Sequence, residues 1–133
     1  VKLLDTNVWF YAFTDSQELS KHERAKQLIA LGDIGISLQT IGEVCNALLR
    51  KAKFDESQIQ NIVRSFYKHY KPIVPTERDY LKASELRTRY HFSHWDSVMI
   101  AVALQSGVTE FYSEDMQDGL IVDGTLTIQN PFR

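Results

Sequence analysis

The chain has one cysteine, Cys45, in 133 residues. It falls inside an apolar helical pattern, so an intrachain disulfide and a cysteine-cluster metal site are both excluded. A basic excess is missing too: 15 Lys and Arg face 17 Asp and Glu, a formal net charge of −2. That balance gives no global attraction for a polyanion, so any nucleic-acid binding must rest on a local basic patch or on metal ions. No apolar run approaches the roughly 20 residues of a membrane span. No basic leader with a cleavage site precedes the first apolar segment, which fits a cytoplasmic protein. Repeats, low-complexity tracts and linkers are absent. What is left, 44% hydrophobic and 24% charged, is the composition of a soluble globular protein, and the length predicts one domain over residues 1–133 with its own core.

The N-terminal stretch Val1-Lys2-Leu3-Leu4-Asp5-Thr6-Asn7 reads as a short buried strand ending on a carboxylate. Val8 to Phe13 predicts a short helix or turn packed under a sheet. Ser20-Lys21-His22-Glu23 has the pattern of a capping box, with Ala25, Leu28, Ile29 and Leu31 at helical spacing, Gly32 as the stop, and His22 as a solvated first-turn residue. Ile34 to Leu38 reads as a second strand, followed by a helix from Thr40 to about Lys53 with a buried stripe of Ile41, Val44, Cys45, Leu48 and Leu49. Asp55 is a good N-cap for the next helix. Lys71 to Pro75 fits a short proline-bracketed strand. A helix from Thr76 to about Tyr90 carries Leu81 and Leu86 inward. Ser97 to Leu104 is apolar almost all round, the mark of a central helix, and Gly107 ends it. Phe111-Tyr112-Ser113 is a further strand. Asp123-Gly124 makes a turn into a last one. Strands alternating with helices predict an α/β fold, a three-layer α/β/α sandwich with a mainly parallel central sheet.

In such sheets, chemistry collects beyond the carboxyl ends of the strands. Asp5 follows the first strand and Asp115 the Phe111 strand; Glu43 and Asp96 stand at helix starts that can reach the same edge. Each has a structural role open to it as well. Glu43 could complete a capping box with Thr40, Asp96 could favour its helix N-terminus, and Asp115 could cap the turn after it. Glu114, Asp118 and Asp123 are rival acidic partners. Asp5 stands apart, because a carboxylate directly after a buried strand needs compensation. Four carboxylates at one edge repel one another, and hard divalent cations, Mg²⁺ or Mn²⁺, are an economical solution. The chemistry that follows is metal-assisted phosphodiester hydrolysis. Thr6, Asn7 and Ser113, beside the acids, would orient ligands or waters, and Asp118 is a further supporting candidate.

At these residues the sequence resembles the PIN-domain nucleases, specifically the small VapC-type toxins of bacterial toxin-antitoxin pairs. The resemblance runs along essentially the whole chain and is carried by Leu3-Leu4-Asp5-Thr6-Asn7, Ile41-Gly42-Glu43-Val44, Trp95-Asp96-Ser97 and Tyr112-Ser113-Glu114-Asp115 with the following Met116-Gln117-Asp118-Gly119. It implies a Mg²⁺- or Mn²⁺-dependent endoribonuclease in which Asp5, Glu43, Asp96 and Asp115 bind metal and activate water. It further implies a homodimer, an RNA substrate, and a cognate antitoxin whose C-terminal segment covers the acidic site or the groove beside it.

A nuclease must hold a polyanion. The candidate contacts are Arg50, Lys51 and Lys53 at the end of the Glu43 helix, with Arg87 and Arg89 before Asp96, although cations at helix ends also serve the helix dipole. Two other readings are open. A metal-dependent phosphatase of the haloacid-dehalogenase kind would carry a second Asp two residues after the first, where this chain has Asn7. A non-catalytic, cation-binding interaction module of the receiver kind would need a lysine after a late strand, which Phe111-Tyr112-Ser113-Glu114 does not offer.

Overall fold

Neighbouring residues of a strand point to opposite faces, and here each face meets its own core. Leu3 and Phe111 belong to one cluster with Ala83, Leu86 and Val98 to Ala103. Leu4 and Tyr112 belong to the other, with Val8, Trp9, Leu28, Val44 and Phe66. The three layers of the sandwich follow from that alternation. The computed structural model describes residues 1–15 and 18–133. In order, its elements are β1 (Lys2–Leu4), α1 (Thr6–Phe13), α2 (Leu19–Ala30), β2 (Ile34–Gly35), α3 (Leu38–Lys51), α4 (Glu56–His69), α5 (Glu77–Tyr90), α6 (His94–Gln105), β3 (Glu110–Tyr112), β4 (Ile121–Val122) and β5 (Leu126–Gln129). Helices α1 to α4 cover one face, and α5 and α6 the other.

The sheet order is β2-β1-β3-β5-β4. The first four strands in that order are parallel, and β4 returns antiparallel on β5. The chain leaves β1 to build β2 on one side, then crosses back to build β3 on the other. The gap beyond the ends of β1 and β3 is therefore the topological switch point, the place where open α/β sheets bind ligands.

Local chemistry accounts for most boundaries. Asp55 and Gln58 form a reciprocal capping box at α4, and Thr76 with Asp79 does the same at α5. Asp123 and Gly124 both have positive φ (50° and 71°) in the three-residue connection between β4 and β5, where the Thr125 N–H closes the turn on the Val122 carbonyl at 3.1 Å. Several expectations are corrected. Ser20 does not cap α2, which starts one residue earlier behind Glu18. His22 is not simply solvated, because its Nδ1 lies 2.8 Å from the Tyr11 carbonyl. The second strand stops at Gly35, and Ser37 caps α3 by accepting the Thr40 N–H at 3.2 Å. Lys71 to Pro75 contributes a single bridge, Ser37 to Ile73, rather than a strand. Leu81 is 63% exposed, whereas Leu86 is fully buried.

Candidate active site

Asp5 is the residue at which β1 becomes α1. Its N–H donates to the Tyr112 carbonyl at 2.8 Å, adding a rung to the β1–β3 ladder. Its side chain has already turned to cap the helix, with Oδ1 accepting the Thr6 N–H at 2.7 Å. Oδ2 accepts the Ser113 hydroxyl at 2.8 Å, and the residue is only 7% exposed. Ser113, fully buried beyond the end of β3, has a double task. Its Oγ also accepts the N–H groups of Asp115 (3.1 Å) and Met116 (3.3 Å). The hydroxyl that orients the first acid thus shapes the turn that presents Asp115.

Glu43 lies in the second turn of α3, half-buried, and its Oε1 accepts the Thr6 hydroxyl at 3.1 Å. It caps nothing, since Ser37 has that role. Asp96 is the third residue of α6, and its N–H donates to the Ser93 hydroxyl oxygen at 3.2 Å. Asp115 is exposed and accepts the Asn7 side-chain amide at 2.6 Å, a contact across 108 residues of sequence. Thr6, Asn7 and Ser113 therefore each hold one acid. The rival acids are engaged elsewhere: Glu114 accepts from Tyr11 (2.7 Å) and Lys21 (2.8 Å), and Asp123 pairs with Lys82 and Arg89. Asp118, expected beside the site, instead accepts the Asn130 N–H at 2.8 Å and lies 3.7 Å from Arg133. It secures the C-terminal segment.

The acids form one electrostatic unit. Burial pushes the Asp5 carboxyl up to about 6; the bonds from Ser113 and Thr6 oppose this, and the charges of Asp96 and Asp115 add to it. Glu43 is raised by burial, lowered by Thr6, raised by Asp96 and lowered by the nearby Gln39 amide. Asp96 is raised by burial, lowered by Ser93 and raised by Asp115. No lysine or arginine is among the described groups that shift these three. Nor, among the described residues, do any three of His, Cys, Asp and Glu stand close enough together to hold a metal ion without moving. The donor set nevertheless fits a hard divalent ion: every offered ligand is a carboxylate oxygen, and the crowded negative charge lacks a compensating cation.

Both effects have a consequence for stability. A carboxyl that binds its proton more tightly folded than unfolded imposes no penalty below its unfolded pKa. The penalty then develops as pH rises through the folded value. For Asp5 the window runs from 3.8 to about 6, worth about 3 kcal/mol at 1.36 kcal/mol per unit. Other carboxylates titrate in the same range, and Asp123, lowered by Lys82, pulls the opposite way. The clean readout is a difference. In EDTA, Asp5→Asn should gain on wild type in urea midpoint between pH 4 and pH 7, and a gap that does not change with pH would contradict the burial of this charge.

A cleft of about 230 Å³ opens onto two of the acids, Asp96 and Asp115, with Phe92, Ser93, Met116 and Gln117 among its other walls; Asp5 and Glu43 do not line it. An apolar hollow of about 340 Å³ between α1, α2 and α4 lies apart from them, walled by Trp9, Phe13, Ile29, Phe66 and Tyr70. Of the proposed RNA contacts, Arg50, Lys51 and Lys53 are exposed at the end of α3, with the Lys51 ammonium 5.8 Å from the Phe10 ring. Arg87 and Arg89 are correctly located before α6 but already engaged: Arg87 donates to Ser97 at 2.7 Å, and Arg89 binds Asp123 and the Tyr90 hydroxyl. Ser93 and Gln39 were not anticipated beside the acids. Ser93-His94-Trp95-Asp96 lacks the Glu or Gln of a capping box, and Gln39 fell in the gap between a strand drawn too long and a helix begun too late.

An α/β sheet with carboxylates gathered at its switch point is shared by more than one class of protein, and comparison narrows it to one family. The PIN domain matches residues 2–117, from β1 to just past Asp115, and the chain belongs to that family. Among solved structures, it is similar to a toxin-antitoxin complex from Klebsiella pneumoniae (TM-score 0.73, 20% identity, 98% of each chain). It is also similar to VapC20 of Mycobacterium tuberculosis, a toxin that cleaves the sarcin-ricin loop (0.72, 19%, covering 86% of this chain and 92% of that one). VapBC2 of Rickettsia felis, bound to promoter DNA, matches at 0.69 with 18% identity over 97% of each chain. A search of curated proteins by sequence finds no match.

Proposed function

We propose that this protein is a Mg²⁺- or Mn²⁺-dependent endoribonuclease, the toxin of a toxin-antitoxin pair. The observation that carries the reading is Asp5: a nearly buried carboxylate, raised by burial and by Asp96 and Asp115, with no lysine or arginine among the described groups that shift it. Asp5, Glu43, Asp96 and Asp115 would hold the ion. When bound, such an ion supplies charge neutralisation at the scissile phosphate and acidifies the attacking water. The protein's own contribution is orientation. Ser113 and the Thr6 N–H fix the two oxygens of Asp5, the Thr6 hydroxyl fixes Glu43, and Asn7 fixes Asp115. Ion binding would release the proton that Asp5 retains near pH 6, so affinity rises with pH.

Arg50 lies seven residues, two turns, beyond Glu43 on α3, so both share a face. Arg50, Lys51 and Lys53 would there hold phosphates that flank the cut. Structured or single-stranded RNA is the substrate class, in keeping with the sarcin-ricin-loop activity of the M. tuberculosis neighbour. A homodimer, an antitoxin that covers the site, and a cytoplasmic setting complete the reading. The antitoxin is supported by neighbours solved as toxin-antitoxin complexes, and among the described residues no helix is long and apolar enough to cross a membrane. Purified protein with Mn²⁺ should cut single-stranded or ribosomal RNA internally and stop on addition of EDTA. Release of phosphate from small monoesters without any RNA cleavage would replace the nuclease with a phosphatase.

A further inference from the structure

Glu114, a rival ligand by sequence, immediately precedes Asp115, and both of its carboxylate oxygens are occupied. Oε1 accepts the Tyr11 hydroxyl at 2.7 Å, and Oε2 accepts the Lys21 ammonium at 2.8 Å. Tyr11 stands one turn beyond Asn7 on α1, and residues so spaced share a helix face. That face therefore grips two consecutive acids of the turn after β3, Asp115 through Asn7 and Glu114 through Tyr11. Lys21 brings in α2. Its ammonium lies 5.0 Å from the Tyr11 ring and 5.5 Å from the Phe132 ring, and its side chain is only 26% exposed. His22, the next residue, sets its Nδ1 2.8 Å from the Tyr11 carbonyl, so α2 meets this tyrosine at both ring and backbone.

An ion pair of this kind is ordinarily a link between elements. Here it has a second consequence, because of the residue that follows Glu114. Asp115 is exposed, its carboxylate accepts from the neutral Asn7 amide, and it stands near acids of its own sign. Asp96, which it repels, comes from α6 on the opposite face of the sheet. Without an ion, that repulsion favours an Asp115 displaced from its partners. Ser113 restrains the turn from within, by accepting two of its N–H groups, and Glu114 restrains it from the side of α1 and α2. We propose that Tyr11, Glu114 and Lys21 are positioning residues, which hold the turn after β3 so that Asp115 stands within reach of the divalent ion; this rests on the reading of the acids as a site for that ion. Lys21 then works against its own charge. A cation beside an acidic cluster weakens the attraction for Mn²⁺, so action by charge alone and action by position predict opposite signs when it is removed.

The test is a calorimetric titration of Mn²⁺ into the full chain at pH 7, with the metal-free Tm of each protein measured alongside. Lys21→Met removes the charge and keeps an unbranched chain against the two rings. Its Kd for Mn²⁺ should rise about threefold to tenfold, less than the 10–100-fold typical of a partner bonded to the ligand itself. Tyr11→Phe alters no charge and retains the ring, and its Kd should rise in the same range. Lys21→Arg, which can still pair with Glu114, should bind close to wild type. A Lys21→Met protein that binds Mn²⁺ as tightly as wild type, or more tightly, overturns the proposal. So does Tyr11→Phe with a lower Tm and an unchanged Kd, the result of a link that only stabilises the fold. Should Lys21→Met fail to fold, Tyr11→Phe decides alone. Wild type that binds no Mn²⁺ removes the cation-site reading and this inference with it. Wild type that binds beside variants that bind equally well removes the inference alone.

Discussion

Asp96→Asn is expected to lower RNA cleavage about a thousandfold or more while the protein stays folded and, without metal, is at least as stable as wild type. The first part follows from the work assigned to the ion: several kcal/mol of transition-state stabilisation, at 1.36 kcal/mol per tenfold in rate. The second part is a contest between two effects. A negative charge in the first turn of α6 is favoured by the helix dipole, typically by 0.3–1 kcal/mol. Burial and repulsion from Asp115 oppose it, and against the Ser93 bond they push the Asp96 carboxyl above its ordinary value. Asparagine keeps the shape and the backbone bond to Ser93. A clear fall in metal-free Tm would contradict a shared acidic site.

The second large effect lies in the core. Met99→Asp or Ala103→Asp should yield no soluble folded protein. Helix α6 is buried from Ser97 to Ala103, with Met99 at 3% exposure and Ala103 at 0%. An uncompensated charge there costs several kcal/mol, against a typical total stability of about 5–15 kcal/mol. Met99→Leu, close in volume, should cost less than about 1.5 kcal/mol and serves as the control. Cooperative urea unfolding of both aspartate variants would refute the placement of α6 at the centre.

The same helix shows what a sequence can reveal. A run apolar on every side has nowhere to go but the interior, so α6 was legible, as was the Asp-Gly turn before β5, which needs two residues tolerant of positive φ. Asp5 was legible because an acid at the end of a buried strand is anomalous on its own. Leu81 was misjudged for a geometric reason: five residues separate it from Leu86, about 140° around the helix, so the two cannot face inward together. The inward stripe is Asp79, Ala83 and Leu86. The start of α3 was ambiguous because Ser37 and Thr40 are both acceptable caps, and only the bond from the Thr40 N–H decides between them. Asp118 could not be told from Asp115 by local pattern. Its partner, Asn130, is brought in by β5, and that pairing belongs to the folded chain.

The central claim is that Asp5, Glu43, Asp96 and Asp115 together make a divalent-cation site. A ligand that binds only the folded state raises its apparent stability by mass action, so the direct measurement is a thermal-shift titration of wild type and Asp5→Asn with Mn²⁺ at pH 7. The asparagine can still accept the Thr6 N–H as the cap of α1 but lacks the charge. Wild type should rise in Tm with Mn²⁺ concentration, while Asp5→Asn, starting at or above wild type in EDTA, should not respond. Identical Mn²⁺ responses in the two proteins would place the ion elsewhere and contradict the account.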